Sequence, residues 1–84
     1  MQKIKVYVAT WQPEDGDFGA KVFPTHNKAM QFLREERDCF KKSVGYDEDV
    51  TDIEHKSHIE SNYWYGGYET NIFWGNVEEQ TLEL

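Results

Sequence analysis

Lys3-Ile4-Lys5-Val6-Tyr7-Val8-Ala9-Thr10-Trp11 sets Ile4, Val6 and Val8 on one side and Tyr7, Ala9 and Trp11 on the other. A period of two is that of a β-strand. The next residues, Gln12-Pro13-Glu14-Asp15-Gly16-Asp17, gather Pro, Gly and Asp, each with its own turn chemistry, and Phe18 to Phe23 resumes an extended pattern. A β-hairpin is the expectation. Pro24 and Thr25 then punctuate the chain. Thr25 is placed to cap a helix whose apolar positions, Ala29, Phe32, Leu33 and Phe40, fall on one stripe. Lys41 and Lys42 suit the negative end of that helix, so it is predicted to finish near Ser43 with Gly45 as its left-handed cap.

Beyond Gly45 the character changes. Tyr46-Asp47-Glu48-Asp49 reads as an acidic loop, and Ile53, Ile59 and Tyr63 predict a third strand between Val50 and Tyr63. Thr51, His55, Ser57 and Ser61 share that parity, so the strand is expected to be partly solvated or to lie at a sheet edge. Gly66-Gly67, between Tyr65 and Tyr68, signals a hairpin, and Thr70 to Trp74 reads as a fourth strand. Gly75-Asn76 marks a turn or bulge, after which Val77 to Leu84 is placed to form a last strand with Leu82 and Leu84 on one side. The fold class is therefore α+β: an antiparallel sheet of four to five strands with one helix packed on one face, in the order β-β-α-β-β with a possible fifth strand. No repeat, low-complexity tract or long linker interrupts the chain, which is expected to be one domain spanning residues 1–84.

Composition bounds what such a domain can do. At 84 residues it has room for one small core, and Leu, Ile, Val and Phe number only 18. Thirteen aromatic residues compensate, because each large ring buries on the order of 150 to 250 Å². The single cysteine, Cys39, excludes an internal disulfide and points to a reducing compartment. The N-terminus shows no signal-peptide pattern, and no apolar run approaches the roughly 18 residues of a membrane span. A cytoplasmic protein with no membrane partner is the expectation.

Charge is distributed unevenly. Residues 1–42 carry 8 basic and 6 acidic side chains, whereas residues 43–84 carry Lys56 against 10 acids, and the whole chain stands at -7. Self-repulsion at that density favours a role beyond solubility. The same half holds Tyr63, Trp64, Tyr65, Tyr68, Phe73 and Trp74. Strand neighbours face opposite ways, so some of these rings are expected to face outward. Aromatic anchors ringed by acids fit a basic protein surface, since the rings supply contact area and the carboxylates steer association. The alternative is that the rings replace missing aliphatic residues and the acids only solvate the sheet.

Other chemistries fare less well. His55, His58, Glu54, Glu60, Cys39 and His26 are metal-ligand types, but no CxxC or HExxH spacing occurs, and a continuous strand sends His55 and His58 to opposite faces. No metal site and no cofactor is expected. Cys39 beside Phe40 reads as a small core or boundary residue, because the C-terminal half of a helix disfavours a thiolate. Gly66-Gly67 precedes no helix that might cradle phosphate, and no catalytic triad or carboxylate pair can be built, so the chain is not expected to be an enzyme. Direct nucleic-acid binding needs a basic track, and Lys3, Lys5, Lys21 and Lys28 are scattered.

Lys5-Val6-Tyr7-Val8-Ala9-Thr10, then Lys21-Val22-Phe23-Pro24-Thr25, then Asn27-Lys28-Ala29-Met30-Gln31-Phe32-Leu33 resembles the strand, strand, capped-helix opening of small orphan proteins of bacteriophages, over residues 3 to 35. That group includes anti-CRISPR and other anti-defence inhibitors, several of them nucleic-acid mimics. The resemblance implies an inhibitor of a host nucleic-acid-handling complex, acting in the host cytoplasm, and transfers no residue roles. Combined with the charge reading, it leads to a non-enzymatic inhibitor whose acidic and aromatic half occupies a basic surface. The expected contact residues are Asp47, Glu48, Asp49, Asp52, Glu54, Tyr63, Trp64, Tyr65, Tyr68, Glu69 and Trp74. The competing expectation is a self-associating structural or adaptor protein whose aromatic strands form a homodimer interface.

Overall fold

A computed structural model describes the backbone of residues 2–13, 18–44, 51–65 and 69–83, and the side chains within 2–13, 18–43, 52–61 and 73–83. Its elements are β1 (Lys3–Pro13), β2 (Gly19–Phe23), α1 (His26–Val44), β3 (Thr51–His55), β4 (His58–Tyr65) and β5 (Glu69–Glu83). The five strands form one antiparallel sheet in the order β2-β1-β5-β4-β3, with α1 against one face. The first and last strands thus lie side by side near the centre, in register from Lys3 opposite Glu83 to Pro13 opposite Phe73. The fold is the α+β class expected, and no described helix is long and apolar enough to cross a membrane.

The helix begins where its cap predicts. Thr25 Oγ1 accepts a hydrogen bond from the Lys28 N–H at 3.2 Å, satisfying one of the amides that the first turn leaves without a partner. Lys41 and Lys42 occupy the last turn, and Gly45 lies outside the described residues. Ala29, Met30 and Leu33 are buried against Ala9 of β1, Val77 of β5 and Ile59 of β4, with Tyr7, Trp11, Phe23 and Phe32 packed around them. Phe40 and Phe73 extend this core, their ring centroids 5.8 Å apart. Tyr7, Ala9 and Trp11 are therefore the inward side of β1. Cys39 falls off the buried stripe and is exposed, contrary to its expected core or boundary position.

Two glycines make room for this packing. A Cβ at Gly75 would lie 3.3 Å from both Leu33 methyl carbons, and one at Gly19 would run into the Trp11 indole on the neighbouring strand. Gly75 is neither turn nor bulge: β5 keeps one unbroken register through it, so the two strands expected at 70–74 and 77–84 are a single one. The strand count is met elsewhere. The long third strand expected between Val50 and Tyr63 is a hairpin, β3 and β4, joined at Lys56-Ser57. That turn sets Ile53 opposite Glu60 and Ile59 opposite Glu54, which sends the two isoleucines to opposite faces. Ile59 is buried under the helix, whereas Ile53 is 37% exposed on the other side.

Candidate functional site

One face of the sheet is covered by α1 and the other carries no described element. Alternation from the buried residues assigns Ile4, Val6, Val8, Thr10 and Gln12 of β1 to the open face, with Trp74, Asn76, Glu78, Gln80 and Leu82 of β5 beside them. The outer strands add Ala20 and Val22 of β2, His58 and Glu60 of β4, and Ile53 and His55 of β3. Among the described residues, four of the five large apolar side chains that are exposed, Ile4, Val22, Ile53 and Leu82, belong to this face. Among the described residues it holds two carboxylates, Glu60 and Glu78, and no lysine or arginine. Among the described residues this face is thus of mixed apolar and anionic character.

The turn at Lys56-Ser57 brings together residues that a continuous strand would separate. His55 and His58 stand directly opposite each other with ring centroids 6.0 Å apart, so the expectation that they face opposite ways does not hold. His58 also lies edge-on to Trp74 at 5.6 Å, and its Nε2 is 3.5 Å from Glu60 Oε2. The signal was two residues between two histidines, the length of a tight hairpin, but without the usual glycine or asparagine. Among the described residues no three His, Cys, Asp or Glu side chains are grouped as a metal ion would require.

The expected contact residues divide into three sets. Trp74 lies half-buried on the open face. Tyr63, Trp64, Tyr65 and Glu69 are at the far ends of β4 and β5, paired in register as Tyr63 with Asn71, Trp64 with Thr70 and Tyr65 with Glu69, and their side chains lie outside the description. Asp47, Glu48, Asp49 and Tyr68 lie outside the described residues altogether. The third set, Asp52 and Glu54, turns toward the helix.

There the two carboxylates meet a basic stripe. Arg34, Arg37 and Lys41, at i, i+3 and i+7, project from one side of α1 toward β3. Arg34 Nε donates to Glu54 Oε1 at 2.8 Å, and Arg37 Nη1 lies 3.1 Å from Glu54 Oε2, an ion pair without hydrogen-bond alignment. Lys41 Nζ pairs with Asp52 Oδ2, while the buried Ser61 hydroxyl donates to Asp52 Oδ1 at 2.7 Å. Burial opposes ionisation of Asp52, but the hydrogen bonds from Lys41 and Ser61 and the charges of Lys41 and Arg37 outweigh it. Its carboxyl is held below the ordinary aspartate range. The Arg34 hydrogen bond does the same for Glu54, against a smaller burial effect and with help from Arg37. These acids are matched within the fold, in a clamp that ties the edge strand β3 to the helix. Arg34 and Arg37 carried no expectation and Lys41 only that of a helix-end charge, although their helical spacing on one stripe was a visible signal.

Compared with known proteins, the chain matches no family model, no curated protein and no solved structure.

Proposed function

We propose that the chain is a non-enzymatic, protein-binding inhibitor that occupies a basic, nucleic-acid-binding surface of a partner through the open face of its sheet and its acidic, aromatic C-terminal strands. The observation that carries this reading is the open face itself. It pairs exposed Ile4, Val22, Ile53 and Leu82 and half-buried Trp74 with Glu60 and Glu78, and has no lysine or arginine among the described residues. Apolar and aromatic side chains supply contact area, and the carboxylates meet cations that otherwise hold phosphate. Asp52 and Glu54 contribute by holding β3 in place, since Arg34, Arg37 and Lys41 already neutralise them. An anti-CRISPR or other anti-defence role in a phage-infected host is the use that the N-terminal resemblance implies.

The test is capture from bacterial lysate by the tagged protein, run beside Glu78→Lys and Trp74→Ala variants and eluted with a salt gradient. The expected result is a nucleic-acid-binding complex that elutes with moderate salt, sheds its nucleic acid when bound, and is lost with either variant. A partner retained equally by all three proteins would remove the open face from the mechanism.

A second reading, self-association, is favoured by one feature, the exposed apolar side chains along the open face, Ile4 opposite Leu82 and Val22 opposite Val8. Sedimentation of the free protein distinguishes the two, because a stable dimer needs no partner.

A further inference from the structure

The sheet is staggered. β4 begins at His58, opposite Asn76, and β2 ends at Phe23, opposite Tyr7, so among the described residues Lys3–Val6 and Gln80–Glu83 pair only with each other. A two-stranded ribbon is marginally stable alone in water. Its outer edge on the β5 side can be oriented from one hydrogen bond. The Val77 N–H donates to Ser57 O at 2.8 Å, away from β1. In a strand, successive residues send their N–H and C=O groups to alternate sides. Glu79, Thr81 and Glu83 thus direct theirs outward, along the line where β4 has already ended, whereas Glu78, Gln80 and Leu82 direct theirs at Val8, Val6 and Ile4.

The surroundings of that edge say what it fits. Lys3 and Lys5 reach across the ribbon to Glu83 at 3.8 Å and Glu79 at 3.2 Å, but all four side chains are more than half exposed, so these pairs are weak and open to further partners. Glu78 is exposed on the opposite face, which it shares with Gln80 and Leu82. Where β4 stops, a cavity of about 410 Å³ opens between Tyr7, His26, Lys56, Ser57, Val77 and Glu79. His26 Nε2 is buried there without a hydrogen-bond partner. A second copy is a poor occupant. Pairing β5 with β5 would bring Glu79 and Glu83 of each copy together on one side and Glu78 of each on the other, in a chain already at -7.

We propose that the outer edge of β5, from Val77 to Glu83, is a strand-addition site for an extended basic segment of a partner protein. Its alternate Lys or Arg side chains lie on the Glu79 and Glu83 side, the first of them entering the cavity, and the intervening apolar side chains lie beside Leu82. Main-chain hydrogen bonds to residues 79, 81 and 83 supply affinity and the alternate side chains supply selectivity. This inference rests on the protein-binding reading above and specifies the partner's chemistry.

The probe is a capped six-residue peptide with lysine at alternate positions and valine or threonine between them, with a glutamate-for-lysine peptide as control. Amide exchange in the intact protein is followed residue by residue. With the lysine peptide, exchange at Glu79, Thr81 and Glu83 should slow about tenfold, while Glu78, Gln80 and Leu82, already bonded to β1, stay unchanged. Thr81→Pro removes an outward N–H at a strand edge, where proline is tolerated, and should keep the fold while abolishing this protection. Should that variant fail to fold, Glu79→Lys with Glu83→Lys gives the second test, an exchange of preference from the lysine peptide to the glutamate peptide. Protection absent at millimolar peptide overturns the proposal. If shifts appear instead at Val6, Val8 and Val22, the edge is excluded and the open-face reading survives. If no residue responds and the lysate capture also fails, both are lost. A protein that assembles through this edge without peptide would show that the occupant is a second copy, which also overturns it.

Discussion

Arg37 shows how one residue can change the meaning of two others. It lies four positions after Leu33, where the apolar stripe of α1 would continue, and its side chain is 10% exposed beside Glu54. A buried guanidinium needs a carboxylate, and Glu54 meets it on the helix side of the sheet, where its charge is already matched. Lys41 and Ser61 hold Asp52 in the same way. Both carboxyls have folded-state pKa values below their ordinary ones, so the clamp stabilises the fold fully above the usual carboxylate range. Its contribution is lost as pH falls through that range toward the depressed values. Urea midpoints measured from neutral pH down to about pH 3 should fall, and Asp52→Asn with Glu54→Gln should lower the neutral-pH midpoint and flatten the acid decline. An equally steep decline in the double variant would place the acid sensitivity elsewhere.

At the scale of elements, β1, β2 and α1 were legible because local chemistry and tertiary packing agree there. Alternation in Lys3–Trp11 matches a real inward face of Tyr7, Ala9 and Trp11, and Thr25 caps the helix it announces. The second half was harder because its punctuation carries tertiary meaning. Gly75 resembles a break in sequence, yet it clears space for Leu33, and that requirement is visible only once α1 lies across β5. Lys56-Ser57 is a two-residue turn with no glycine or asparagine, held to the sheet by the hydrogen bond from Val77 N–H to Ser57 O. The candidate site suffered from the same ambiguity, since parity across an unrecognised hairpin decides which acids face the helix. The helix and sheet meet most closely at Leu33, which is fully buried among Ala9, Ile59 and Val77. Leu33→Ala should therefore cost about 3 kcal/mol, read as a lowered urea midpoint with an unchanged slope. A change of less than about 1 kcal/mol would mean that α1 does not depend on this contact.

At the scale of the whole molecule, shape and charge act together. The Cα radius of gyration is 14.6 Å, against about 12 Å for a compact chain of this length, because the ribbon at one end and the β4–β5 extension at the other project past the helix. The long axis reaches 56 Å and exposes much sheet for 84 residues, while seven net negative charges repel any second copy. Salt therefore separates the two readings of the open face by sign. Attraction to a basic partner is screened as ionic strength rises, so retention of the partner captured from lysate should weaken steadily from low salt to about 0.5 M. Self-association through Ile4, Val22 and Leu82 would respond in the opposite direction, because screening removes the repulsion and leaves the apolar contact. Sedimentation over the same salt series should show a monomer throughout. A dimer that grows with salt would assign the open face to a homotypic interface and leave the basic partner without support.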